Sequence, residues 1–136
     1  MAHRLTGKVL AFIRSERVAR VATAGRRGAP HSVPVCTVAA NGRIFFASDS
    51  DARKVRNIRK NPQVALVFDR YSENWKRLAG AMIEGTCTII DQGAAFRRAR
   101  QALYRKYKSY ARLAPIEEGE AVIVCVTPTR SFSWGL

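Results

Sequence analysis

The residues best suited to grip a charged ligand fall in one stretch, Phe46-Ala47-Ser48-Asp49-Ser50 followed by Ala52-Arg53-Lys54-Val55-Arg56-Asn57-Ile58. A β-like run ends there in hydroxyl residues, and a short helix begins with Arg53, Lys54 and Asn57 in its first turns. The Ser48 hydroxyl is a donor to a phosphate oxygen and Lys54 supplies a point charge. The free N–H groups that open a helix add partial positive charge. An ordinary solvated helix face carries the same residues, so chemistry alone leaves both readings open.

Other chemistries find no footing. There is no GxSxG elbow, no Ser/His/Asp set and no pair of carboxylates in an apolar strand, which excludes the familiar hydrolase arrangements. Neither GxGxxG nor GxxxxGK[ST] occurs, so phosphate binding must come from side chains and helix ends. Cys36, Cys87 and Cys125 are far apart, no CxxC pair exists, and the histidines are His3 and His31 alone. That leaves zinc without a ligand set, and the cysteines read as three buried, reduced thiols. No metal site is expected.

The chain of 136 residues fits one domain, expected over 1–136, and its 47% hydrophobic content is enough for a packed core. Lys and Arg outnumber Asp and Glu by 24 to 10, a formal net charge of +14. Such a surface attracts polyanions. The aromatics are not interleaved with the basic residues as a base-stacking platform demands, which argues against a nucleic-acid module. No apolar run approaches the ~20 residues of a membrane-spanning helix. The charged stretch Met1 to Lys8 is not followed by a signal-peptide core, so a cytoplasmic location is expected.

These residues need elements to hold them. Leu5, Val9, Phe12 and Ile13 fall on one face of a helix over Gly7–Ser15 with Thr6 as cap. Arg17 to Ala24 reads as a strand and Gly25-Arg26-Arg27-Gly28 as a turn. Pro30 to Ala39 and Arg43 to Ser48 read as two strands joined at Asn41-Gly42, a pair that tolerates positive φ. Asp51 to Lys60 reads as a helix capped by Asp49 or Asp51 and stopped by Asn61-Pro62. Strands follow at Gln63–Asp69 and from about Trp75 to Ile90, with Gly80 and Gly85 as bends or bulges. From Gly93 to about Leu113 a helix carries Phe96, Ala99, Leu103, Tyr107 and Tyr110 on one stripe and arginines opposite, its tyrosines read as packing. Ala121 to Thr127 is an apolar strand, and Pro128 opens a tail. Short strands with this punctuation predict a small antiparallel barrel with helices outside it.

The run Gly28-Ala29-Pro30-His31-Ser32-Val33-Pro34-Val35, then Asn41-Gly42-Arg43-Ile44-Phe45-Phe46, then Lys54-Val55-Arg56-Asn57-Ile58-Arg59-Lys60-Asn61-Pro62, resembles the pyridoxamine 5′-phosphate oxidase-like flavin and deazaflavin oxidoreductases. Within them the coenzyme F420 branch is the most similar. The resemblance continues through Gln63–Val67, Trp75 and Glu84-Gly85-Thr86 to the Trp134-Gly135 tail. It implies a mainly β (α+β) fold, a six- to seven-stranded antiparallel split β-barrel with flanking helices, homodimeric, with two cofactor sites between the subunits. It places the cofactor phosphate at Ser48 and Lys54 with Asn57 one turn on, and the tricyclic ring along Pro34, Val35, Cys36 and Thr37. Trp75 and Lys76 would reach the site from the partner subunit. Arg20 is a weaker carry-over, and no catalytic or substrate residue transfers.

The resemblance therefore implies an oxidoreductase that uses F420 for hydride transfer to an unidentified small organic substrate. F420 carries a phosphodiester and a string of glutamates, which suits the basic runs Arg53–Lys60 and Arg97–Arg112. The competing expectations are an FMN-dependent, pyridoxamine-phosphate-oxidase-like oxidoreductase, and a flavin- or tetrapyrrole-binding protein without turnover. Dipoles around the ring are expected from backbone N–H groups of Val35 to Thr37.

Overall fold

The computed structural model describes residues 3–136; Met1 and Ala2, at the head of the Met1–Lys8 stretch, lie outside the described residues. Helix α1 (Gly7–Ser15) is followed by β1 (Ala19–Ala24), β2 (Pro30–Val35), β3 (Val38–Ala40), β4 (Arg43–Asp49) and α2 (Arg53–Lys60). Then come β5 (Gln63–Arg70), a 3₁₀ turn at Trp75–Arg77, β6 (Ala79–Ile90), α3 (Ala94–Lys106), α4 (Tyr110–Leu113) and β7 (Ala121–Trp134). The seven strands form one antiparallel sheet in the order β2-β1-β5-β6-β7-β4-β3.

That order has a geometric consequence. Strands β2 and β3 are consecutive in the chain yet occupy opposite edges of the sheet, with Cys36 and Thr37 alone between them. The three steps from Val35 to Val38 span at most about 11 Å, so the sheet must curl until its edges meet. The result is a curled half-barrel, mainly β, with four helices outside it. The expected single strand over Pro30–Ala39 is thus two. Pro30–Val35 pairs with β1, and only Val38–Ala40 pairs with β4 across the Asn41-Gly42 turn. Both turn residues take positive φ, at 52° and 74°.

The barrel interior is filled from alternate positions: Val21, Phe46, Leu66, Phe68, Ile83 and Val124 are all fully buried. Each such side chain contributes about 1.5–3 kcal/mol relative to exposure. Helix α1 closes one end with Val9, Phe12 and Ile13, its first turn capped by the Thr6 hydroxyl, which accepts from Val9 N at 3.3 Å. A second cluster of Phe96, Ala99, Leu103, Ile116 and Ile123 seats α3 on the outside of the sheet.

Four boundaries differ from expectation, each for a local reason. The helix expected from Gly93 to Leu113 ends at Lys106, because Tyr107 turns to extended backbone and its hydroxyl bonds to residues far away in the chain. Trp75–Arg77 is a 3₁₀ turn with Asn74 as its cap, so the strand begins at Ala79. Helix α2 starts behind Ala52, and neither Asp49 nor Asp51 caps it through its side chain. Strand β7 runs straight through Pro128, since the pairing slips between Glu84 and Gly85 and the proline falls opposite Gly85 at that bulge. A Cβ on Gly85 would meet the Thr127 carbonyl oxygen at 2.7 Å, so the bulge needs the glycine. Among the described residues no helix is long and apolar enough to cross a membrane, and no cluster of His, Cys, Asp and Glu is placed to hold a metal ion.

Candidate functional site

The turn between β1 and β2 and the exposed face of α2 enclose a cleft of about 600 Å³. Arg26 and Arg27 come from the turn; Arg53, Arg56, Arg59 and Lys60 come from the helix. No acidic side chain lines it. Arg59 is paired with Asp91 at 3.4 Å and Arg56 donates to the Asp51 carbonyl at 2.8 Å; Arg26, Arg27, Arg53 and Lys60 form no ion pair among the described residues. Like charges converging on one hollow focus a positive potential that an anion relieves. Asn57 anchors the cleft floor, its amide nitrogen donating to the Thr23 hydroxyl at 3.0 Å. Gly25 lies against it so closely that a Cβ there would stand 2.9 Å from Asn57 Oδ1. His31, opposite Thr23 in the β1–β2 ladder, keeps a buried Nδ1 with no partner among the described residues.

The three residues expected to hold a phosphate are distributed differently. Asn57 lines the cationic cleft, whereas Ser48 lines a separate hollow of about 310 Å³ beside Asp49, Tyr110 and Ala114, and no cation lines that hollow. Ser48 is buried and its hydroxyl donates to the Asp49 carbonyl at 3.1 Å. Lys54 is half-buried on α2, adjacent to Arg53, and lines neither space.

The other expected wall, Pro34 to Thr37, is the joint between the sheet edges. Pro34 is exposed, Val35 buried, Cys36 half-buried and Thr37 buried. Three groups from the end of α3 and from Arg17 hold this joint. The Thr37 N–H donates to Tyr107 Oη at 3.0 Å, Lys106 Nζ donates to the Thr37 carbonyl at 2.8 Å, and Tyr107 Oη donates to the Arg17 carbonyl at 2.8 Å. The Thr37 amide is therefore engaged by Tyr107, which removes it from the N–H groups expected to face a ring. Burial lowers the Lys106 ammonium below its ordinary range, with Arg17 adding to it, and burial raises the Tyr107 phenol. Tyr110 is pushed up to about 12, first by burial and then by Cys36, so its hydroxyl stays protonated at neutral pH.

Cys36 opens onto a hollow of about 550 Å³ with Tyr107, Tyr110 and Leu113. This hollow and the Ser48 hollow share Tyr110 and Ala114. Tyr110 thus borders both the hollow beside Ser48 and the one beside Cys36. Tyr107 and Tyr110 do pack against the α3 cluster, as the sequence predicts, and they also border these hollows, which the sequence did not show.

The protein-family comparison decides the lineage: residues 5–135 match the pyridoxamine 5′-phosphate oxidase model. The chain belongs to that family. Another relative of this oxidase-family chain is a 5a,11a-dehydrotetracycline/5a,11a-dehydrooxytetracycline reductase of Streptomyces rimosus, 32% identical over 102 residues, 68% of this chain and 69% of its own. An F420 reductase structure superposes with a TM-score of 0.74 at 20% identity, covering 94% of this chain and 98% of that one. The heme storage protein HutZ of Vibrio cholerae gives 0.77 at 14%, covering 96% and 94%. These two likenesses show the oxidase-family fold.

Trp75 and Lys76 stand apart from the other expected residues of this oxidase-family chain. Both are exposed, Trp75 at 72%, and they lie past the Arg70 end of β5, whereas α2 leads into its Gln63 end. Strand β5 alone puts about 25 Å between those ends, so one chain does not bring Trp75 to the cleft. Tyr71, Phe132 and Trp134 are also exposed, the last two with ring centroids 5.8 Å apart. Arg20 is engaged with Asp69 at 2.5 Å. Of the three thiols, Cys87 is buried and pushed up to about 12 by burial, while Cys36 and Cys125 are only half-buried, so the expectation of three buried thiols holds for one.

Proposed function

We propose that this chain is an oxidoreductase holding coenzyme F420, with FMN as the alternative cofactor, and reducing a small organic substrate. Membership of the oxidase family and the 32% identical reductase support the reaction class. The observation that carries the cofactor reading is the cationic cleft. Its six cationic side chains, with no carboxylate among them, suit a ligand with several negative charges better than one with a single phosphate. F420 has that character, and the likeness to an F420 reductase fold agrees with it.

When bound, the reduced deazaflavin supplies the hydride. The chain's own part is binding, orientation and exclusion of water. Arg26, Arg27, Arg53 and Arg56 hold the anionic arm, with Asn57 as a fixed amide among them; Lys54, next to Arg53 on α2, adds charge beside the cleft, and Ser48 offers a hydroxyl in its own hollow. Pro34, Val35, Cys36 and Thr37 form the ring's wall, kept rigid by Tyr107 and Lys106. Tyr110, its hydroxyl protonated at neutral pH, lines the hollows beside Ser48 and Cys36. Trp75 and Lys76 reach the site from a second copy, and the exposed Tyr71, Phe132 and Trp134 supply apolar area for that homodimer.

Titration of the purified chain with F420, FMN and haemin tests the reading. The expected result is micromolar F420 binding that weakens with salt, weaker FMN binding, and turnover of reduced F420 with an electron-poor substrate. Binding of neither flavin overturns it. Tight haemin binding with no turnover favours the tetrapyrrole-binding alternative, which the HutZ-like fold accommodates.

A further inference from the structure

A second cleft, of about 470 Å³, lies between the β3–β4 hairpin and the outer face of α3. Its floor is apolar. Phe45 rises from the hairpin, and Ala95, Ala99 and Ala102 come from the helix. Single-carbon side chains at those helical positions leave a trough against half-buried Phe45 where larger residues would fill the space. Arg98 and Arg105, about two turns apart on α3, flank it. Neither forms an ion pair among the described residues, whereas their neighbours are committed. Arg97 pairs with Glu118 at 3.4 Å and Arg100 donates to the Ile116 carbonyl at 3.1 Å. No acidic side chain lines the trough.

We propose that this trough is a binding site for a small carboxylate with an elongated apolar body, of the fatty-acid class. Arg98 or Arg105 takes the carboxylate through its planar fork, and the body lies over the alanines and Phe45, where burial of apolar area supplies the rest. The composition separates it from the α2 cleft. Six of the residues lining that cleft are cationic and suit a polyanion, whereas here five of nine are apolar and two cationic. The two sites also stand on different strands, α2 against β1 and α3 against β3, β4 and β7. The α3 arginines therefore form a surface of their own, separate from the basic run of α2.

Calorimetric titration of the full chain with decanoate, decanol and inorganic tripolyphosphate tests the proposal. Decanoate binds at micromolar concentration, and decanol about tenfold more weakly for lack of the charge. Arg98→Gln with Arg105→Gln lowers decanoate affinity about tenfold and leaves tripolyphosphate binding unchanged; Arg26→Gln with Arg56→Gln does the reverse. Ala102→Phe fills the trough and abolishes decanoate binding, while an unshifted thermal unfolding midpoint reports an intact fold. Equal affinity for decanol, no decanoate binding up to millimolar concentration, or a loss confined to the Arg26/Arg56 variant overturns the proposal. So does a decanoate-insensitive chain whose Arg98/Arg105 variant sediments as a smaller species, which makes the trough a contact between copies.

Discussion

The Tyr107 hydroxyl stands 3.0 Å from both the amide nitrogen and the carbonyl oxygen of Thr37, seventy residues earlier in the chain. Thr37 is the second residue of the joint between the sheet edges, and it is only 2% exposed. Its backbone groups cannot turn to water. The tyrosine at the end of α3 therefore accepts from the Thr37 N–H while Lys106 donates to its carbonyl, and together they satisfy the polar groups that closing the barrel leaves behind.

Tyr107→Phe removes that partner and keeps the ring. The Thr37 N–H is then buried without an acceptor, which costs about 1–3 kcal/mol. Urea unfolding at neutral pH should show a lower midpoint with an unchanged slope. An unchanged midpoint would mean that water replaces the hydroxyl and that the joint is not held as described.

Lys54→Ala and the Arg26→Gln/Arg56→Gln pair separate two positions for the anionic arm. If the phosphate sits against Lys54, the first substitution weakens F420 binding by about 1.5–3 kcal/mol, the scale of a charged hydrogen bond. The arginine pair lowers affinity and also flattens its dependence on salt, since fewer charges then steer the ligand. Fluorescence titrations at several salt concentrations distinguish the two. The cleft's lining favours the larger effect at the arginines.

Cys87 and Tyr110 make the fold sensitive to alkali. Both are raised to about 12 from ordinary values of 9.0 and 10.0, chiefly by burial. A group whose folded value lies above its unfolded one keeps its proton longer in the native state, so its contribution is complete below the unfolded value and is lost as pH rises toward the folded one. Stability should hold up to about pH 9 and fall progressively toward pH 12. Cys87→Ala removes the earlier part of the fall and Tyr110→Phe the later part. Denaturant midpoints measured across that range check both.

Trp75→Ser with Phe132→Ser tests the homodimer. These side chains are among the most exposed apolar groups of the described residues, at 72% and 62%. Removing them should convert a dimer to a monomer in sedimentation velocity and lower F420 affinity with it, while far-UV dichroism stays unchanged. Loss of cofactor binding from a chain that remains dimeric would show that Trp75 acts in the site without supporting the association.

Sequence patterning located most elements because their signals are local. The Thr6 cap, the Asn41-Gly42 turn and the Asn61-Pro62 stop each act within a few residues, and each stands where expected. The break at Cys36-Thr37 was hidden because alternation of β-type residues continues through it; only the partners on either side differ, and these are distant in the chain. Tyr107 was hidden for a related reason. Its helical spacing is good, yet bonds to Arg17 and Thr37 take the chain out of the helix. The place of Asn57 on α2 was legible, while the cleft that it lines was not, since Arg26 and Arg27 sit on a turn some thirty positions away.

The C-terminal strand lies inside the sheet, between β6 and β4. During synthesis, β4 and its small hairpin leave the ribosome long before the neighbour that they pair with exists. The nascent half-sheet must wait, edge uncovered, until residues 121–134 arrive, and contacts of such long separation close slowly. Release of a chain cut before Ala121 would strand that hairpin without its partner, so premature termination there should yield aggregate rather than a shorter working protein.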